Sequence, residues 1–320
     1  MSLGDTPNPT PTLFHSAADY LDLPTAKQPW IVQDLLPAGG LLNLYGAPKT
    51  GKSYGMLQLA TAIASGAKEW LGFPIRCHGR VMYLQLDTPR TLWQGRLLKL
   101  QSQGVEFTET FIADRTDAPY PFDILSEENG LGWFKQAVRE IQPLVIVIDT
   151  LRELHLGDEN DSRQGQQVVN AAIEAAHGAA IILVSHAKKD NPMFGDSVVN
   201  DNRGTSYIAG RMDTIIKVSK KFVMIEGRAL EDQKLPIRRD EKLFWLRGLS
   251  DDAIAASVMK DPNLPNQIEK AKKFAALSGR KTESARSWLK RYIERKEAEN
   301  GEEVKGNEEE GLLVTKGEEA

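Results

Sequence analysis

The segment Gly46-Ala-Pro-Lys-Thr-Gly-Lys-Ser53 constrains this chain more than any other, because of what stands on either side of it. Ahead of it, LLNLY (41–45) is a short apolar run that reads as a buried strand; behind it, Tyr54 to Ser65 is rich in alanine and leucine and reads as a helix. Strand, glycine loop and helix in that order curl consecutive backbone N–H groups around a concavity and aim the positive end of a helix into it. Such a cradle fits phosphate oxygens. Lys52 is placed to reach the terminal phosphates of a nucleoside triphosphate and Ser53 to ligate magnesium, with Gly46, Ala47, Pro48, Lys49, Thr50, Gly51 and Tyr54 completing the wall. The alternative is a glycine turn of purely structural use.

The rest of the chain repeats the alternation. RVMYLQL (80–86), TETFIAD (108–114), LVIVIDT (144–150) and AAIILVSH (179–186) read as strands. Between them lie TPRTLWQGRLLKLQSQG, SEENGLGWFKQAVREI with a helix start expected near Ser126, and a helix over 164–177. The spacing predicts an α/β fold with a mostly parallel central sheet covered on both faces. TIIKVSKKFVMIEGRA and KLPIRRDEKLFWLRG supply antiparallel additions at its far edge.

Four units follow along the chain: a flexible N-terminal arm (1–28), an α/β core holding the phosphate cradle (29–248), a small C-terminal helical domain (249–297) and a disordered acidic tail (298–320). Within the arm, LFHSAADYLDL reads as a short helix able to lie against the body. In the helical unit, Gly279 separates two helices and Thr282 caps the last one, whose Ala285, Trp288, Leu289 and Ile293 share a face.

Strand ends select the chemistry. Asp149 ends the most apolar strand, at the sheet edge where ligands collect, and is the candidate partner of Ser53 in holding magnesium; an acidic helix cap or loop residue is its alternative reading. Asp87 ends another strand and is the candidate general base that orients an attacking water; a helix cap is its alternative reading. His186 ends a third, placed to sense a terminal phosphate or a bound strand, or else a solvent-facing or core histidine. Arg203, after a long polar loop, is either a phosphate contact across a subunit boundary or a surface arginine.

Together these residues resemble the RecA-like P-loop ATPase core, in the branch of RepA-type hexameric replicative helicases and related phage and mobile-element ATPases. The resemblance runs from Trp30 to about Arg247 and rests on W-I-V-x-D-L-L-P-A-G-G, V-M-Y-L-Q-L-D-T-P with Arg96 following, L-V-I-V-I-D-T, L-V-S-H-x-K-K and R-G-T-S-Y-I-A-G-R-M-D. It implies ATP and Mg2+ as cofactors, a homo-oligomeric, hexameric ring, single-stranded DNA as partner, and replication or repair proteins docking through the C-terminal region. In such proteins the acid at Asp87 is usually glutamate, and the shorter aspartate sets the base back by about one methylene. The resemblance carries the phosphate-coupled histidine onto His186 and the inter-subunit arginine onto Arg203, with Arg211 and Lys217 as runners-up. It also makes the loops at 155–165 and 187–203 channel loops, in which Arg163, Lys188, Lys189 and Arg203 meet DNA phosphates without reading bases.

The basic C-terminal helices, with helix-turn-helix spacing, add Arg280, Lys281, Arg286, Lys290 and Arg291 as DNA contacts; a structural or protein-docking module explains the spacing nearly as well. A recombination or repair ATPase of RecA/RadA type, and a nucleotide-gated DNA-binding adaptor that hydrolyses little, are the competing functions. Charge agrees with a polyanionic partner only once it is located. The net is −4, but nine glutamates and two lysines fall in residues 297–320, leaving the first 296 residues at +3. The single cysteine, Cys77, excludes an internal disulfide and thiolate metal clusters. No apolar run approaches the roughly 20 residues of a spanning helix, so a cytoplasmic protein without a membrane partner is expected.

Overall fold

The computed structural model describes residues 15–23, 28–157, 161–186, 210–249, 251–264, 266–278 and 282–296. A five-residue helix, α1 (Ala17–Leu21), comes first, and the ribbon β1 (Trp30–Val32) with β2 (Leu36–Pro37) follows. β3 (Leu41–Gly46) leads directly into α2 (Lys52–Ser65). A second ribbon, β4 (Glu69–Trp70) with β5 (Phe73–Pro74), precedes β6 (Val81–Gln85), α3 (Arg90–Ser102) and β7 (Thr110–Asp114). Then come α4 (Leu131–Ile141), β8 (Val145–Asp149), α5 (Ser162–Ala175) and β9 (Ala180–His186). β10 (Thr214–Val218), β11 (Phe222–Gly227), β12 (Leu230–Arg239) and β13 (Trp245–Arg247) close the sheet, and α6 (Asp251–Lys260), α7 (Gln267–Ser278) and α8 (282–296) end the described chain.

Nine strands form one sheet in the order β13-β12-β11-β10-β3-β9-β8-β6-β7. From β10 to β7 every pairing is parallel, and β11 to β13 extend one edge antiparallel. The α/β architecture is therefore the one the alternation predicts. The reason is clearest in β8, all of whose residues are buried. Val145 and Val147 enter the core beneath α2 and α3, while Ile146 and Ile148 enter the core shared with α4 and α5. A strand covered on both faces has no use for alternation, and each fully buried side chain of this kind contributes about 1.5–3 kcal/mol.

Chain order is not spatial order. β6, the second large strand in sequence, is separated from β3 by β9 and β8. Two expectations differ from the structure. The helix expected near Ser126 begins at Leu131, because Ser126 is used in a turn: its hydroxyl accepts from Asn129 N (3.2 Å) and its carbonyl accepts from Gly130 N and Leu131 N. And α1 does not lie against the body, since none of its residues is buried and Tyr20 and Leu21 are 66% and 83% exposed.

The last three helices have a core of their own, in which Ile254, Val258, Ala271, Phe274, Ala285 and Leu289 are buried. Trp288 stacks between Phe274 and Tyr292, with ring centroids 4.8 and 5.6 Å away.

Candidate functional site

The loop between β3 and α2 is built as its sequence requires. Gly46 closes β3, Ala47, Pro48 and Lys49 form an exposed crown, and Thr50 is buried with its hydroxyl donating to Ala47 O at 2.9 Å. Lys49 and Gly51 both have positive φ, 63° and 90°. At Gly51, the N-cap of α2, a side chain would also collide: a Cβ would lie 2.6 Å from an Nη of Arg239.

Lys52 opens α2 and is 7% exposed. Its ammonium folds back over the loop, donating to Gly46 O (2.8 Å) and Ala47 O (3.1 Å). Burial lowers its pKa, opposed by the nearby charges of Asp149 and Asp87. A cation held on carbonyl dipoles at the mouth of an N–H cradle suits a phosphate group in the same place.

Asp149, at the end of β8, is 2% exposed. Tyr83 Oη donates to its Oδ2 at 2.9 Å, Gln85 Nε2 approaches the same oxygen at 3.4 Å, and the Ser53 hydroxyl is also hydrogen-bonded to it. Burial raises the Asp149 pKa, and these hydrogen bonds and Lys52 only partly offset it. Tyr83, fully buried, is pushed well up by the same burial. A raised acid pKa favours the folded state below about pH 3.8 and loses that advantage as pH climbs through the folded value, so at neutral pH the carboxylate costs stability. Asp149→Asn should therefore melt no lower than the parent at pH 7 without nucleotide, while lowering Mg-ATP hydrolysis about 100-fold or more. Calorimetry beside a phosphate-release assay checks both, and a lower melting temperature would contradict the electrostatic assignment.

Gln85 and Tyr83 are the supports that sequence reasoning missed. Besides reaching Asp149, Gln85 accepts from Asp87 N (2.7 Å) and Thr88 N (2.8 Å) through its Oε1, so one buried amide ties the Asp87 turn to Asp149. A glutamine inside VMYLQL breaks the apolar pattern, and that break was the available signal. Asp87 itself is exposed, and α3 is capped by Pro89 without any side-chain bond, so the carboxylate is not spent as a helix cap. Arg96 braces the site, lying 5.8 Å from the Tyr54 ring and 5.7 Å from that of Trp93. Arg239 was also missed; no motif marks a residue that reaches the loop only through the antiparallel edge.

His186 pairs in register with Gly46, beside the loop, and is partly buried. Arg163 is exposed in the first turn of α5, near its Asp161 cap. Lys188, Lys189, Arg203, Arg280 and Lys281 lie outside the described residues. Arg211 contacts Asn170, and Lys217 pairs in register with Tyr45. Arg286, Lys290 and Arg291 are exposed on α8, a helix whose Ala285 and Leu289 belong to the separate core of the last three helices.

Oxygen donors at this site, a hydroxyl and a carboxylate within one hydrogen bond, fit a hard divalent cation that takes its remaining ligands from phosphate and water. Among the described residues there is no cluster of three or more His, Cys, Asp or Glu side chains to hold a metal by protein ligands alone.

A glycine loop between a central parallel strand and a helix, with β9 standing between that strand and the acid-bearing β8, defines a RecA-like P-loop ATPase. The chain belongs to the family described as AAA domain, which it matches over residues 6–192. Among solved structures it is similar to a DnaB-like replicative helicase studied with primase, at 12% identity and a TM-score of 0.51, over 72% of this chain and 66% of that one. It thus spans just under two thirds of that helicase chain. A KaiC-like protein from Pyrococcus horikoshii OT3 (14% identity, TM-score 0.45, 68% and 94% covered) and the ATPase domain of G40P (14%, 0.48, 65% and 84%) also match. At such identity the first likeness establishes the fold. No helix among the described residues is long and apolar enough to cross a membrane.

Proposed function

We propose that this protein is an ATP-driven motor on single-stranded DNA, of the RepA-like replicative helicase kind, acting as a homo-oligomeric, hexameric ring. The observation that carries the reading is the convergence of Lys52, Ser53, Asp149 and the Asp87 turn at one sheet edge, linked through Tyr83 and Gln85. Fold likeness to a DnaB-like replicative helicase supports the motor part.

In this reading the loop N–H groups and Lys52 hold the phosphates of ATP. Ser53 and Asp149 hold Mg2+, which when bound neutralises charge on the terminal phosphates. Asp87 orients a water toward the γ-phosphorus and takes its proton as the new P–O bond forms and the bond to the β-phosphate oxygen breaks, releasing ADP and phosphate. His186 reports the γ-phosphate to the neighbouring loops. Arg203 completes the site of an adjacent subunit. Arg163, Lys188 and Lys189 face DNA, and residues 249–297 form a separate helical domain whose Arg280, Lys281, Arg286, Lys290 and Arg291 give it further phosphate contacts.

Aspartate at position 87 specifically favours a second reading, a nucleotide-gated DNA-binding adaptor with weak turnover. A side chain one methylene shorter holds its carboxylate about 1 Å further back, a displacement large enough to cost an order of magnitude or more. ATPase assays with and without single-stranded DNA, on the parent and on Asp87→Glu, with oligomer mass measured in the same samples, separate the two. The motor reading expects DNA stimulation in the parent and about tenfold faster turnover in Asp87→Glu. A protein that stays monomeric with ATP and DNA would sink the ring, and tight binding with negligible turnover in both proteins would favour the adaptor. Filament assembly with strand exchange would instead indicate a RecA/RadA-type recombination ATPase.

A further inference from the structure

Between α7 and α8 runs a groove of about 430 Å³ that the nucleotide site does not use. The exposed Ile268 and half-buried Ile293 supply its accessible apolar surface over a floor of the buried Ala271 and Leu289, and Arg286 and Lys290, one turn apart on α8, stand over it. Ile268 is 51% exposed although it sits on a helix face otherwise committed to the core of this three-helix unit. Lys290 has only a loose contact with Glu294, 3.9 Å apart with both side chains mostly exposed, which holds it weakly. An apolar trough rimmed by cations selects an occupant with apolar side chains beside carboxylates.

The chain carries such a segment a few residues further on. EEEGLLV (308–314) places Leu312, Leu313 and Val314 one glycine after three consecutive glutamates, the only such apolar cluster in an otherwise glutamate-, glycine- and lysine-rich tail. We propose that residues 308–314 dock in the α7–α8 groove of their own chain, with Leu312 and Leu313 on Ile268 and Ile293 and Glu308 to Glu310 facing Arg286 and Lys290. Chain length permits it. Residues 297–307 span up to roughly 35 Å when extended, whereas the end of α8 stands only about 10 Å along the helix from Leu289. A tether of this kind holds the segment at an effective concentration on the order of 1 mM, so an affinity of about 0.1 mM in trans keeps roughly nine tenths of it docked in cis. Docking also covers Arg286 and Lys290 and would exclude DNA from that face. This consequence rests on the DNA reading above; the docking does not.

Hydrogen–deuterium exchange of the full chain, without nucleotide or DNA, tests the docking by itself. Nine-tenths occupancy makes the amides of 311–316 exchange about tenfold slower than their intrinsic rates, to the same extent at low and high protein concentration. Leu312→Asp with Leu313→Asp, and separately Ile268→Asp, should each return those amides to within about twofold of intrinsic. The tail variant alters no described residue, so its result stands even if the Ile268 variant perturbs α7. Intrinsic-rate exchange in the parent, or protection that survives both variants, overturns the proposal. Protection that disappears on dilution overturns it too, and assigns the groove to the tail of a second copy.

Discussion

Lys52→Ala is expected to lower Mg-ATP hydrolysis by about 100- to 1,000-fold, the usual effect of removing a fixed charge from a site where negative charge develops. The lysine is buried at the loop mouth, its ammonium already facing the cradle on Gly46 O and Ala47 O. Alanine leaves the loop glycines and the start of α2 in place and removes the cation that, in the proposed function, meets the terminal phosphates. Its helix propensity is at least as good as that of lysine, so the fold should persist. Steady-state phosphate release at saturating Mg-ATP, with a circular-dichroism melt of the same sample, gives the measurement. A turnover within threefold of the parent would remove the phosphate-loop assignment.

Trp245→Ala should be the most destabilising substitution at the antiparallel edge, by about 3 kcal/mol. Trp245 is 1% exposed, lies 6.0 Å from the Trp70 ring and covers α2 at Gly55, where a Cβ would be 2.5 Å from the indole. Its backbone is held as if by a paired strand: Trp245 N donates to Gln58 Oε1 and Gln58 Nε2 donates to Trp245 O, both at 2.9 Å. The figure sits at the low end of the usual range because the buried indole N–H has no hydrogen-bond partner, and its removal gives back part of the loss. Gly55→Ala tests the same contact from the other side, overpacking it at about 1–3 kcal/mol. Urea unfolding of the two variants should show lower midpoints with unchanged slopes. Near-parental midpoints in both would mean that β13 is not anchored on α2.

Much of the site was legible because it is local. The octapeptide from Gly46 to Ser53 carries its own strand, turn and helix signals, and an acid at the end of a wholly apolar run, Asp149, can only lie at a sheet edge. The start of α4 was not legible: Ser126, Glu127 and Glu128 satisfy the pattern of a helix start, but Ser126 caps a turn that Asn129 and Gly130 continue. Gln85 was passed over for a similar reason. Its residue type says nothing until the strands on either side are known, and its partners Asp149 and Asp87 come from a neighbouring strand and from the turn beyond its own.

Strand order is where the two levels separate. Sequence alone determined the phosphate cradle, the α/β alternation and the set of acids at strand ends, since each depends on residues within a few positions of one another. Only the tertiary structure decided that β9 stands between β3 and β8, that Tyr83 and Gln85 converge on Asp149, and that Arg239 returns along the antiparallel edge to lie against Gly51. The physical reason is that parallel strands buried on both faces carry nearly interchangeable apolar sequences. Their order is chosen by which helices cover which face and by how the crossovers close, and no local pattern records that choice.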